Sequence, residues 1–273
     1  MKKRTLGQRL LGAPYVVWAA IFIIVPLLIV VYYSFTDANG NWTLNNIKAL
    51  ADYKEVFWIS IEYSFIATVI TLLISYPFAY LMSRKKENAQ RIMMMLVMLP
   101  MWMNLLIRTY SWMNILEKNG IINNLLANFG IEPLKMIGTP GAVIFGMIYN
   151  YIPYMILPIY SVMSKIEPSL LEAAEDLGSN GWSKLRRVIL PMSMPGVVSG
   201  FTMVFVPSVS TFYISQKLGG KIMLVGDAIE KQIQSLYNYN MGAALSLVLM
   251  VLILISMAIM KKFAGDEGSN LYV

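Results

Sequence analysis

The sequence predicts an all-α polytopic membrane protein with six transmembrane helices. Two observations carry that reading. Six stretches, 10–36, 63–83, 92–107, 136–164, 188–216 and 232–260, contain no Asp, Glu, Lys or Arg. The chain of 273 residues is 57% hydrophobic and only 14% charged, whereas a soluble domain carries about 25% charged residues. At about 1.5 Å per residue, roughly 20 apolar residues cross the hydrocarbon core, and five of the six stretches suffice as they stand. Strands of a β-barrel would alternate with period two over about ten residues, and these stretches do not.

Taken in order, the spans are expected at 13–35, 63–83, 92–114, 138–164, 189–215 and 238–260, with a loop at 165–191, in a single membrane domain. The first follows Lys2-Lys3-Arg4 as a secretory signal would. Its apolar stretch is longer than a signal's and no small-residue cleavage site follows, so it is read as an uncleaved helix. The third reaches full length only by continuing past Arg108 through Tyr110 and Trp112. Its guanidinium is then expected at the outer interface, solvated beside aromatic residues. Prolines 26, 77, 100, 153, 158, 195 and 207 fall within spans; each removes a backbone donor and bends its helix. Between spans three and four, Ile121, Ile122, Leu125, Leu126 and Phe129 form an amphipathic pattern. It suits a helix at the outer interface, under a partner or capping the bundle.

Lys and Arg set the orientation. With a cytoplasmic N-terminus, fourteen fall inside: 2, 3, 4, 9, 84, 85, 86, 91, 165, 184, 186, 187, 261 and 262. Eight stay outside: 48, 54, 108, 118, 135, 217, 221 and 231. The positive-inside rule therefore predicts a multi-pass protein with both termini cytoplasmic. The net charge of +7 is spread over short segments between apolar runs, so it points to membrane lipid and not to nucleic acid. Cys and His are both absent. That removes disulfides, thiolate or imidazole metal sites and the two commonest catalytic side chains, and with them most enzyme readings.

The loop between spans four and five reads as two short helices with a glycine joint. Pro168 suits a first helical turn, and Leu170, Ala173, Ala174 and Leu177 recur at helical spacing. Gly178 suits the left-handed position after the last turn, and Ser179 or Asn180 can cap the next helix. Such a helix is shaped to dock into a groove on another protein. Glu172-Ala173-Ala174, Gly178 and Leu190-Pro191, with Val188 in place of isoleucine, match in type and spacing the loop signature of binding-protein-dependent ABC permeases. The chain resembles that family over nearly its whole length.

The resemblance implies the MetI-like permease fold of an ATP-driven importer. It gives Glu172, Ala173, Ala174, Gly178, Leu190 and Pro191 the role of coupling to an ATPase. The implied partners are a second permease subunit in a heterodimer, two ATP-binding subunits and an extracytoplasmic substrate-binding protein, in a prokaryotic cell membrane. ATP and Mg would bind the ATPase, leaving this chain without a cofactor and without enzymatic activity of its own. Tyr76-Pro77-Phe78-Ala79, Leu99-Pro100-Met101-Trp102, Asn104 through Tyr110, Thr139-Pro140-Gly141-Ala142 and Leu224-Val225-Gly226-Asp227 are similar to the first of the two paired spermidine/putrescine permease types. Polyamine is the cargo this implies.

Polar and aromatic side chains on span faces are the pathway candidates, because charged cargo does not cross bare hydrocarbon. They are Trp102, Asn104 and Tyr110 in span three; Asn150 and Tyr154, with Ser161 below them, in span four; and Ser208, Thr211 and Phe212, with Ser215, near the end of span five. Aromatic faces attract ammonium groups and amide or hydroxyl oxygens accept their protons. The same residues also serve as interfacial belts and helix glue. Asp227 and Glu230, in the loop before span six, receive cations or face solvent. An ion-coupled secondary transporter or channel is the alternative of another class. Such proteins place Asp, Glu or His deep within spans, and none lies there in this chain.

Overall fold

The computed structural model describes residues 14–264. Residue 13 of the first expected span and the basic cluster Lys2, Lys3, Arg4 and Arg9 lie outside the described residues. Helices in chain order are α1 (Pro14–Ser34), α2 (Asn45–Ala49), α3 (Lys54–Ser83), α4 (Glu87–Trp102), α5 (Leu105–Leu116) and α6 (Ile121–Ala127). There follow α7 (Pro140–Met163), α8 (Pro168–Asp176), α9 (Gly181–Val209), α10 (Tyr213–Leu218), α11 (Val225–Glu230) and α12 (Tyr239–Ala264). Five described helices are long and apolar enough to cross a membrane, or six if α4 and the bent-away segment Leu105–Ala127 form one span.

Two compact units divide the chain. One holds residues to 55 and 228–251, the other 56–227 and 252 onward. In the first, the end of α1 is tied down by amides. Asn46 Nδ2 donates to the carbonyls of Ser34 at 3.2 Å and Thr36 at 2.9 Å, and Asn240 Nδ2 donates to Thr36 at 2.7 Å. Within α1, the π turn Ala20–Ile24 comes just before Pro26, which has no N–H to continue an α ladder. The π turn Leu185–Ile189 stands in the same relation to Pro191 in α9.

The second unit is built on the pairing of α7 and α9. Gly196 and Gly200, four apart, let the backbones approach. A Cβ on Gly196 would lie 2.8 Å from the Pro158 carbonyl, and one on Gly200 2.8 Å from Met155 Sδ. This is the small-residue mode of membrane helix packing. Helix α3 buries a stripe of small residues, Ser60, Ser64, Ala67, Thr68, Thr71, Ser75 and Ala79, and exposes Phe65, Leu73, Ile74 and Leu81 on its other side. Thr68 and Thr71 return their hydroxyl protons to carbonyls four residues back, each at 2.6 Å, and so bury no idle donor.

The helices depart from the expected span bounds in three places. Helix α3 starts at Lys54 and not at 63, because Glu55 in its first turn complements the helix dipole and the helix runs on past the apolar stretch. The third stretch is not one straight helix: α4 stops at Trp102, and the chain bends by 89° into the helices that carry Arg108. Pro100 weakens the end of α4, and Asn104 Oδ1 accepts the Leu106 N–H at 2.8 Å, starting α5 afresh. Helix α9 spans Gly181–Val209, and the chain breaks at 210–212 before α10, so Ser215 lies on a separate helix.

Candidate functional site

At one end of the second unit, α8 forms a capped stub. Pro168 occupies its first turn, and Gly178 takes φ +80. Gly178 N–H donates to Glu175 at 2.8 Å and Ser179 N–H to Ala174 at 3.0 Å, the paired bonds of a Schellman cap. Asn180, and not Ser179, caps α9, accepting the Ser183 N–H at 2.8 Å. Leu171 and Ala174 are buried against the protein, while Leu170, Glu172, Ala173 and Leu177 face outward, Leu177 at 88% exposure. The stripe read from the sequence is therefore divided, with Ala174 turned inward and its other members exposed. Leu190 and Pro191 stand beyond the π turn in α9 and are exposed; they belong to the helix that follows, not to the stub.

Side chains from the α3–α4 turn and the start of α4 hold the C-terminus of α7, from which the stub leads off. Arg84 donates to the carbonyls of Met163 and Ile166, each at 3.2 Å, placing a cation on the C-terminal carbonyls of α7. Gln90 donates to Ser83 at 3.1 Å and Lys85 at 2.9 Å, and its Oε1 accepts the Tyr160 hydroxyl at 2.9 Å. Lys184 pairs with Glu175, joining α8 to α9. A cavity of about 540 Å³ opens here, with Arg84, Lys85, Glu172 and Glu175 in its wall. None of Arg84, Gln90, Tyr160 or Lys184 was singled out from the sequence as a site residue; only the density of the Arg84-Lys85-Lys86 turn marked the region.

The pathway candidates do not form one lining. Asn150 is 2% exposed; its Nδ2 donates to Gly146 at 2.8 Å and its Oδ1 has no hydrogen-bond partner. Ser208 and Thr211 are buried, and the Ser208 hydroxyl is committed to Val204 at 2.7 Å. Tyr154 and Phe212 are partly exposed, and Trp102 is 75% exposed. Asn104 serves as a helix cap. Asp227 is buried and accepts the Leu224 N–H at 2.7 Å, an acidic residue closing the first turn of its own helix, so the solvated outer-loop reading is corrected. Val225 N–H donates to Ser60 at 2.8 Å, fixing that turn against α3.

Arg108 is corrected too. The 89° bend carries it inward, where it is 7% exposed with Nε and Nη1 unpartnered. Two residues on, Tyr110 meets Tyr213 of α10 edge to face at 6.1 Å, and the Lys217 ammonium lies 4.9 Å from the Tyr110 ring centre. A hydrogen bond to the Tyr110 hydroxyl raises the Lys217 pKa above the ordinary lysine value. Sequence reasoning passed over Lys217 and Tyr213, although their spacing of one helical turn was visible.

Comparison with known proteins fits this arrangement to a family. Residues 75–264 match the binding-protein-dependent transport system inner membrane component. A spermidine/putrescine transport system permease protein PotB of Haemophilus influenzae is 39% identical over 246 residues, covering 86% of each chain. PotB of Salmonella typhimurium is 33% identical over 262 residues, covering 92% of this chain and 91% of its own. The crystal structure of a bacterial ABC transporter involved in the import of the acidic polysaccharide alginate superposes with TM-score 0.76 at 17% identity, covering 93% of this chain and 94% of that one. A second structure of the alginate transporter, in complex with an alginate pentasaccharide-bound periplasmic protein, gives TM-score 0.76 at 16% identity, covering 94% and 93%. At that identity the likeness establishes a shared fold. By the match across most of its length, this chain belongs to the family of binding-protein-dependent transport system inner membrane components.

Proposed function

We propose that the chain is the transmembrane permease subunit of an ATP-driven importer and translocates spermidine or putrescine handed over by an extracytoplasmic binding protein. The observation that carries this is the 39% identity to a spermidine/putrescine permease protein across 86% of both chains. An identity of that size over the spans, and not merely over the docking segment, supports a common cargo.

In this reading α8 seats an ATPase subunit. The outward Leu170, Ala173 and Leu177 supply apolar contact, and Glu172 a charge at its edge. ATP and Mg stay on the ATPase and this chain carries no cofactor. A second permease subunit completes a heterodimer with two ATP-binding subunits, and the periplasmic protein bound to the alginate transporter supports a binding-protein partner. The docking end is cytoplasmic, as Arg84, Lys85, Lys86, Arg186 and Arg187 near it require under the positive-inside rule. Both termini then lie in the cytoplasm.

The test is uptake of labelled spermidine and putrescine by cells carrying the complete system, compared with cells whose ATPase subunit is inactivated. ATPase-dependent accumulation of either polyamine is expected. A second reading, an importer of an anionic solute, is favoured by the buried Arg108 guanidinium, whose Nε and Nη1 have no hydrogen-bond partner. Import of such a solute with no polyamine uptake would retain the importer and replace the cargo.

A further inference from the structure

Helices α5 and α10 meet through an aromatic pair that already holds an ammonium group. The Tyr110 and Tyr213 rings stand at 71° with centroids 6.1 Å apart. Lys217 Nζ lies 4.9 Å from the Tyr110 centroid and 5.6 Å from that of Tyr213. Both distances are within about 6 Å, the range in which a ring face attracts a cation. Two ring faces around one primary ammonium make a recognition site for that group. Tyr110 is 42% exposed, and Tyr213 and Lys217 are half-buried, so the cage is reachable from outside the protein.

The occupant's chemistry is informative. A lysine side chain is a four-carbon chain ending in a primary ammonium, which is the 4-aminobutyl unit found in both putrescine and spermidine. We propose that Tyr110 and Tyr213 form a cargo site for a terminal aminobutyl group, occupied in this conformation by Lys217 as a tethered stand-in that arriving cargo displaces. This rests on the polyamine reading of the previous section. Displacement follows from mass action: a tethered occupant present about nine-tenths of the time lowers the apparent affinity for a free competitor about tenfold. The site is then weak at rest and releases what it takes, as a channel between a high-affinity binding protein and the cytoplasm requires.

The simpler role, a cation–π staple joining α5 to α10, predicts the opposite response to loss of the lysine. The experiment measures equilibrium binding of labelled putrescine, and of n-butylammonium as a one-ended probe, to the complete transporter in nanodiscs without its binding protein. Lys217→Met should bind both about tenfold more tightly than wild type, and Lys217→Gln, a second vacating variant, should do likewise. Adding Tyr110→Leu and Tyr213→Leu to Lys217→Met should abolish the gain. Unchanged or weaker binding in assembled Lys217→Met and Lys217→Gln transporters overturns the cage. So does a gain that survives loss of both tyrosines, because relief of charge repulsion then explains it. Butylammonium separates this inference from the cargo assignment. Tyrosine-dependent gain for butylammonium supports the cage even if the complete system imports no polyamine, whereas normal polyamine uptake with no gain overturns the cage alone.

Discussion

Gly178 gives the sharpest test of the docking helix, because its cost can be worked out from geometry. Its φ of +80 lies in the left-handed region, and a Cβ built on it meets nothing within 4 Å. Substitution therefore adds backbone strain and no collision. That strain is about 1–2 kcal/mol for a residue with a Cβ, roughly a 5- to 30-fold loss in the population of the capped turn. The turn carries the Gly178 and Ser179 bonds that end α8 and precedes the Asn180 cap that starts α9, so its loss misaims the stub while leaving the spans untouched. Gly178→Ala should lower co-purification of the ATPase subunit by that factor, and Gly178→Val by more. Gly178→Asn should retain most of it, since asparagine tolerates the left-handed region. Membrane insertion and thermal stability in detergent should change little in all three. A Gly178→Val transporter that holds its ATPase and imports at the wild-type rate would refute the docking role.

Further expectations concern packing and orientation. Gly200→Leu, forced against Met155 Sδ and the Met155 carbonyl, should destabilise the α7–α9 crossing by about 1–3 kcal/mol, read as a lower unfolding temperature in detergent. Arg84→Met keeps the stem but removes both donors to Met163 and Ile166. At about 1.5–3 kcal/mol for a charged hydrogen bond, it should slow ATP-dependent uptake more than it lowers ATPase co-purification; the reverse ratio would count against Arg84 acting through the end of α7. Asn123→Ala leaves the Leu134 N–H and the carbonyls of Glu117 and Leu134 without the amide that now satisfies them. It should cost about 1–3 kcal/mol in thermal unfolding. An Asn45→Cys protein should react with an impermeant thiol reagent from outside and a Trp182→Cys protein only after permeabilisation, both sites being exposed; the inverse pattern reverses the topology.

What the sequence made legible was local chemistry. Pro168, Gly178 and Asn180 each name a backbone position, and the capped stub follows from their order without reference to anything distant. The apolar runs are equally plain, since length and hydropathy alone decide them. The break at Met103 and Asn104 left only the short third run and a well-placed asparagine as traces, and a guanidinium at Arg108 is as compatible with an interface as with a buried bend. Asp227 looked solvated because its acceptor role depends on the Leu224 N–H and on α3 standing behind that turn. Contacts between α5 and α10 leave no periodic trace in either helix, so the Lys217 cage was invisible even though each member was in view.

The helix pair α7 and α9 explains how one end of the second unit bears on the other. Helix α8 is the connection between them, so whatever displaces the stub pulls on the C-terminus of α7 and the N-terminus of α9 together. Gly196 and Gly200 bring the two backbones close enough for Met155 and the Pro158 carbonyl to touch α9 directly. A crossing this close leaves little free volume between the two helices. Asn150 and Tyr154 ride on α7, and Ser208 lies near the far end of α9. Tyr151 and the Pro207 carbonyl, 3.4 Å apart, link the two helices at that level. Backbone contacts thus run unbroken from the stub to the buried polar residues, and Arg84 and Tyr160 tie the α3–α4 turn and the start of α4 to the same helix.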